Sequence, residues 1–151
     1  MKKLTLSLFL LFIGLSFAQA QNSSFDEELA KKLGADEYGM KKYVIAFLYR
    51  GDRVDEYSPE ERAELQRAHL SNINRLAEEG KMVLAGPFFG NDELRGLFFF
   101  NVESLEEAIT LTESDPSIQA GILKMEMKEW YGSAALPLLL EFHSKISKTG
   151  I

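Results

Sequence analysis

His69 and Asp115 are the two residues of this chain best suited to pass a proton between them. An imidazole titrates near neutral pH and is the usual general base. A carboxylate partner would fix its tautomer and stabilise the imidazolium. Leu65, His69, Ile73 and Leu76 fall in one stripe at about 100° per residue, so the ring is expected on the apolar face of a helix. Asp115 precedes Pro116, which pushes its backbone out of the helical region and frees its side chain to turn into a pocket. Plainer roles are open to both. A lone His on an apolar helix face is often a hydrogen-bonded core residue, and Asp before Pro is a common cap or turn former.

Other chemistries have less support. The chain has no Cys, which excludes disulfides, thiolate catalysis and Cys-based metal sites. No H-x-H or H-E-x-x-H cluster is present, so no metal site is expected. Neither a Gly-rich phosphate loop nor a G-x-S-x-G elbow occurs, and no cofactor is expected. The formal charge of −6 argues against nucleic acid and anionic membrane surfaces as partners. His143 reads as a surface residue, Asp92, Glu93 and Arg95 as solvated turn residues, and Arg50-Gly51-Asp52 as a strand end. Gly86 and Pro87 are candidates for a pocket wall, since Gly admits close backbone approach and Pro fixes the exit from a strand. Phe88, with Phe89, Phe98, Phe99 and Phe100, offers an apolar lining for a ring compound, although such stretches are more often core or subunit interface.

The elements that must position these residues follow from patterning. Tyr43 to Tyr49 reads as a buried strand. Ser58-Pro59-Glu60-Glu61 opens a helix with a capping box and Pro at its first position, running to about Glu79 with Gly80 as its stop. Met82 to Gly86 and Leu97 to Val102 read as strands of a hairpin. Ser104 with Glu107 predicts a second capping box, on a helix from Leu105 to about Ser114. Ile118 to Gly121 reads as a turn, and Leu123 to Trp130 alternates at period two as a half-buried strand. The order is β-α-β-β-α-β, the ferredoxin-like split unit of an α+β fold. One sheet face lies under two helices and the other needs a cover, for which a second subunit is the usual solution. Leu136 to Phe142 adds a C-terminal helix, and Phe25 to Leu33 a short, weakly packed one ended by Gly34.

Residues 1–20 have a basic start at Lys2 and Lys3, an apolar run from Leu4 to Phe17, and Ala18-Gln19-Ala20 as an A-x-A cleavage pattern. This reads as a secretory signal peptide cut after Ala20, with a retained anchor as the alternative. The mature chain is then expected in the periplasm or outside the cell, with no membrane contact. The expected organisation is a signal peptide at 1–20, a lead-in at 21–40, one domain at 41–132 and a helical tail at 133–151.

Tyr43-Val44-Ile45, His69-Leu70, Gly80 with Ala85-Gly86-Pro87, Ser104-Leu105-Glu106-Glu107-Ala108, and Asp115-Pro116 with Ala120-Gly121 occur in an order that resembles the YciI-like (YCII-related) family. The resemblance covers roughly residues 43–130. It implies a dimeric α+β barrel, hence a homodimer, and an active-site pair that would fall on His69 and Asp115. A few relatives act on small ring compounds, including dehydrochlorination of chlorinated hydroxyquinols without a cofactor. Two functions are therefore expected to compete. One is a small cofactor-independent enzyme using this pair for acid-base chemistry on a cyclic compound. The other is a non-catalytic module that binds a small ligand or forms a dimeric interaction surface.

Overall fold

The computed structural model of the chain describes residues 24–90 and 93–149. The expected signal peptide and Asp92 lie outside them. The elements are α1 (Glu27–Leu33), β1 (Met40–Arg50), a 3-10 turn (Val54–Glu56), α2 (Pro59–Glu78), β2 (Met82–Pro87), β3 (Leu94–Phe100), α3 (Leu105–Glu113), α4 (Pro116–Gln119), β4 (Leu123–Ser133) and α5 (Leu138–Ile146). The four strands form one sheet in the order β2-β3-β1-β4, and every pairing is antiparallel. This is the ferredoxin-like arrangement of an α+β fold.

Local chemistry starts and stops the helices. At α2, the Ser58 hydroxyl accepts the Glu61 N–H at 3.2 Å and the Glu61 carboxylate accepts the Ser58 N–H at 2.8 Å. Both halves of the capping box are thus present, with Pro59 at the first helical position. The second expected box is only half formed. Ser104 caps the Glu107 N–H, but the Glu107 carboxylate pairs with Lys81 at 2.7 Å instead of reaching back. An ion pair to Lys81, the residue just before β2, competes successfully with the local bond. The segment expected as a turn after Pro116 begins with one short helix, α4, because Asp115 supplies its N-cap.

Leu76 of α2 and Ala108 of α3 pack onto a sheet face made by Val44, Ala46, Leu48, Met82, Phe98 and Phe100. Direct cross-strand partners share a face, so Tyr43 with Trp130, Ile45 with Phe99 and Phe47 with Leu97 lie on the opposite face. There Trp130 meets Phe99 edge-on at 5.3 Å and Tyr43 at 6.0 Å. The C-terminal helix α5 returns to β2, while Leu139, Phe142 and Ile146 stay exposed. No residue of α1 is buried, in keeping with its weak packing.

Gly51 joins β1 to the start of β4. Its N–H donates to the Ile122 carbonyl at 2.9 Å, and a Cβ at this position would lie 2.1 Å from the Gly121 carbonyl oxygen. Only glycine admits that approach. The contact fixes the chain that leaves α4, and therefore the end of the segment that carries Asp115.

Candidate active site

His69 sits in the middle of α2, one turn after Leu65 and two turns before Leu76, on the face turned to the sheet. Asp115 lies between α3 and α4 with extended backbone, φ −82° and ψ 120°. That is the conformation the following proline demands. The two side chains meet. His69 Nδ1 is 2.7 Å from Asp115 Oδ2, with side-chain exposures of 7% and 1%. Both residues stand as the sequence suggested, His69 on the apolar face of its helix and Asp115 held out of the helical region before Pro116. The helix passes its midpoint beside the N-terminus of α4.

The carboxylate is fully used. Oδ2 also accepts the Asn72 amide at 3.2 Å, and Oδ1 accepts the Ser117 N–H at 2.9 Å. Burial pushes the Asp115 carboxyl upward. The His69 hydrogen bond and charge, with the Ser117 and Asn72 donors, outweigh it and leave the group below the ordinary carboxylate range. An ionised carboxylate only accepts, so Nδ1 carries the proton of the neutral ring and Nε2 keeps its lone pair. Among the described residues no group bonds Nε2, and no fully buried side-chain nitrogen or oxygen lacks a partner. Nε2 is therefore open to the space beside it.

A second set of bonds holds α4 against α2. The Ser117 hydroxyl donates to the Leu65 carbonyl at 3.2 Å, and the Tyr57 hydroxyl to the Ala120 carbonyl at 3.1 Å. Arg75 bonds Asn72 at 2.8 Å and Ser114 at 3.0 Å, tying the same turn of α2 to the end of α3.

The space beside His69 is a cavity of about 470 Å³ between α2, the β2–β3 hairpin and the ends of β1 and β4. Such a volume suits one small molecule. Phe98 forms part of its floor and stacks on the His69 ring, with centroids 5.7 Å apart and planes at 25°. Gly86, Pro87 and Phe88 all border the cavity, so the residues expected to form a pocket wall stand around the expected acid-base pair. The remaining phenylalanines part company. Phe89 is fully exposed, Phe100 is in the core, and Phe99 faces away with Trp130. Period-two alternation divides a run of three rings between two faces.

Three features escape a reading of the sequence alone. Asn72 stands three residues after His69, on the same helix face; that i, i+3 spacing is a signal that points to a shared partner. Arg62 is one helical turn before Gln66 and two before His69, and lines the cavity with them. Arg95, expected to be solvated, also lines it. The pairing explains why. Leu48 pairs with Gly96 and Tyr49 with Leu94, leaving Arg95 as an extra residue on β3. Such a bulge re-aims side chains, and no local sequence pattern announces it.

Among the described residues, no three His, Asp or Glu side chains converge where they could hold a metal ion. None of the helices among them is long and apolar enough to cross a membrane.

A ferredoxin-like sheet with two covering helices and a buried His-carboxylate pair opening on a cavity defines the class of this protein. The chain belongs to the YCII-related domain family, whose model matches residues 42–131. It is similar to the uncharacterized protein YjpA of Bacillus subtilis (strain 168), with 32% identity over 62 residues that cover 41% of this chain and 71% of YjpA. Among solved structures it is similar to 5-chloro-2-hydroxyhydroquinone dehydrochlorinase (TftG) from Burkholderia phenoliruptrix AC1100, in complex with 2,5-dihydroxybenzoquinone. That likeness has 21% identity and a TM-score of 0.45, and covers 60% of this chain and 93% of that one.

Proposed function

We propose that this protein is a small cofactor-independent enzyme in which His69 and Asp115 carry out acid-base chemistry on a small cyclic compound. The observation that carries the reading is the pairing of His69 Nδ1 with Asp115 at 2.7 Å while Nε2 stays free beside a cavity. Nε2 takes a proton from an acidic C–H or O–H of the ring compound, and the bonding pair stays on the substrate. Asp115 stabilises the imidazolium until the proton is returned. Gly86, Pro87 and Phe88 form the wall against which the ring rests, and Phe98 holds the imidazole in plane.

The test is proton exchange. Wild-type protein incubated in D2O with a panel of cyclic hydroxy and keto compounds is followed by proton NMR. Catalysed exchange or conversion that falls about 10²–10⁴-fold in His69→Gln supports the reading. Full activity in His69→Gln overturns it.

A second reading is favoured by the burial of the pair and its completed hydrogen bonds: a ligand-binding module in which His69 is structural. It predicts ligand binding without conversion, and a melting temperature that falls sharply in His69→Gln.

The protein is further proposed to be exported and homodimeric. The N-terminal pattern ending at Ala20 supports export. The sheet face of Ile45, Phe47, Leu97 and Phe99 supports a second subunit, since it is only partly covered within one chain.

A further inference from the structure

Three arginines from three different places in the chain line the cavity beside His69: Arg50 at the end of β1, Arg62 on α2 and Arg95 at the β3 bulge. Among the described residues the lining contains no carboxylate. This is notable in a chain whose formal charge is −6. An acidic protein has gathered positive charge on one concave surface, where low-dielectric walls strengthen its field.

The three differ in how far the protein itself uses them. Arg50 is neutralised in part by Asp55 at 2.8 Å, and its other terminal nitrogen meets the Gly51 carbonyl at 3.4 Å. Arg62 gives Nη1 to two backbone carbonyls, Tyr57 at 3.0 Å and Val54 at 3.3 Å. Those bonds hold the side chain in place without cancelling its charge, and among the described residues its Nη2 and Nε have no partner. Arg95 has no ion-pair partner among the described residues. Two guanidiniums therefore keep donors for something that enters the cavity.

Position along α2 sets the shape of that ligand. Arg62 and His69 are separated by two turns, about 10 Å along the axis, with Gln66 between them on the same stripe. Side chains reach inward from both ends. A ligand that touches both has its charged group roughly one ring away from the atom that meets Nε2. Phe98 and Phe88, which also line the cavity, fit the body of such a ring.

We propose that the cavity recognises a small ring compound bearing a carboxylate, with Arg62 and Arg95 binding the carboxylate and the opposite edge of the ring presented to His69. A planar guanidinium matches a carboxylate with two parallel hydrogen bonds. The proposal rests on the cavity being the ligand site of the proposed function, and it adds the charge and polarity of the ligand.

Isothermal titration calorimetry at low salt on the intact protein compares 4-hydroxybenzoate with 4-hydroxybenzamide, a neutral molecule of nearly the same shape. The expected result is at least about tenfold tighter binding of the benzoate, weakened by added sodium chloride. Arg62→Gln and Arg95→Gln each reduce the preference, and the double variant abolishes it. Arg67→Gln, an exposed position outside the cavity, leaves it intact. Circular dichroism establishes that each variant is folded. Equal binding of the two compounds, no binding of either, or an undiminished preference in the folded double variant overturns the proposal. His69→Gln separates it from the acid-base reading. That variant should keep the benzoate preference, because the arginines and not the imidazole bind the charge. In the wild type, a benzoate preference without any proton transfer overturns only the catalytic reading, whereas in His69→Gln the same result agrees with both.

Discussion

Asp115 reaches His69 from the N-cap of α4: one carboxylate oxygen lies 2.7 Å from His69 Nδ1 while the other accepts the Ser117 N–H that starts the helix. The cap and the histidine partner are one arrangement. Its two plain roles, turn former and histidine partner, do not compete, because they use different oxygens.

Substitutions at Asp115 should therefore separate structure from chemistry. Asp115→Ala strands the Ser117, Asn72 and His69 donors and is expected to cost about 3 kcal/mol in urea denaturation. Asp115→Asn keeps a capping oxygen and should cost about 1 kcal/mol. It still removes the charge that stabilises the imidazolium, so turnover should fall at least about 10²-fold. Equal stability losses in the two variants would contradict the double role.

The pH dependence has a definite sign. The folded Asp115 carboxyl is held below its ordinary range, whereas in the unfolded chain it titrates near about 3.9. The stability this difference contributes is fully present above the unfolded value and is lost as pH falls through the folded one. The stability gap between wild type and Asp115→Asn should shrink as pH falls below about 4. A gap that persists unchanged to pH 2 would rule out the carboxylate as its source.

Asn72 shares Oδ2 with the imidazole. Asn72→Asp places a second carboxylate against Asp115, and like charges at this distance cannot both ionise cheaply. The variant should be less stable than Asn72→Ala at pH 7, with the order reversed or equalised at pH 4. Thermal melts at both pH values provide the check.

Gly51 secures the chain that leaves α4. Gly51→Ala drives a methyl group into the Gly121 and Ile122 backbone, which lies 2.1 and 2.6 Å from the ideal Cβ. The expected loss is about 2–3 kcal/mol, together with reduced activity, since Gly121 follows closely on the α4 segment that Asp115 caps. Wild-type stability in this variant would mean that the close approach is relaxed without cost.

The partly covered sheet face makes its own prediction. Phe47→Arg puts a charge in the middle of the Ile45, Leu97 and Phe99 patch, away from the cavity. Sedimentation equilibrium should find a dimer for wild type and a monomer for the variant. A wild-type monomer at high concentration would rule out the homodimer.

The residues themselves show why some of this could be read from the sequence and some could not. Ser58-Pro59-Glu60-Glu61 and the alternation after Leu123 are local signals, and each element they predict is present. The stripe through His69 and the proline after Asp115 correctly aimed both side chains, because helix periodicity and pre-proline sterics act within a few residues. The cavity's charge was not legible. Arg95 was read as solvated because its placement depends on a register shift between β1 and β3, and register is set across strands. The half-formed box at Ser104 failed for a similar reason: Lys81, far away in sequence, takes the Glu107 carboxylate.

The most direct test of the central claim is the tautomer of His69. A long-range nitrogen-proton NMR correlation on uniformly labelled protein, at a pH where the ring is neutral, reports which nitrogen carries the proton. The Asp115 pairing predicts a proton on Nδ1 and a bare Nε2 facing the cavity. A proton on Nε2 would contradict it, because that nitrogen could then accept none from a ligand.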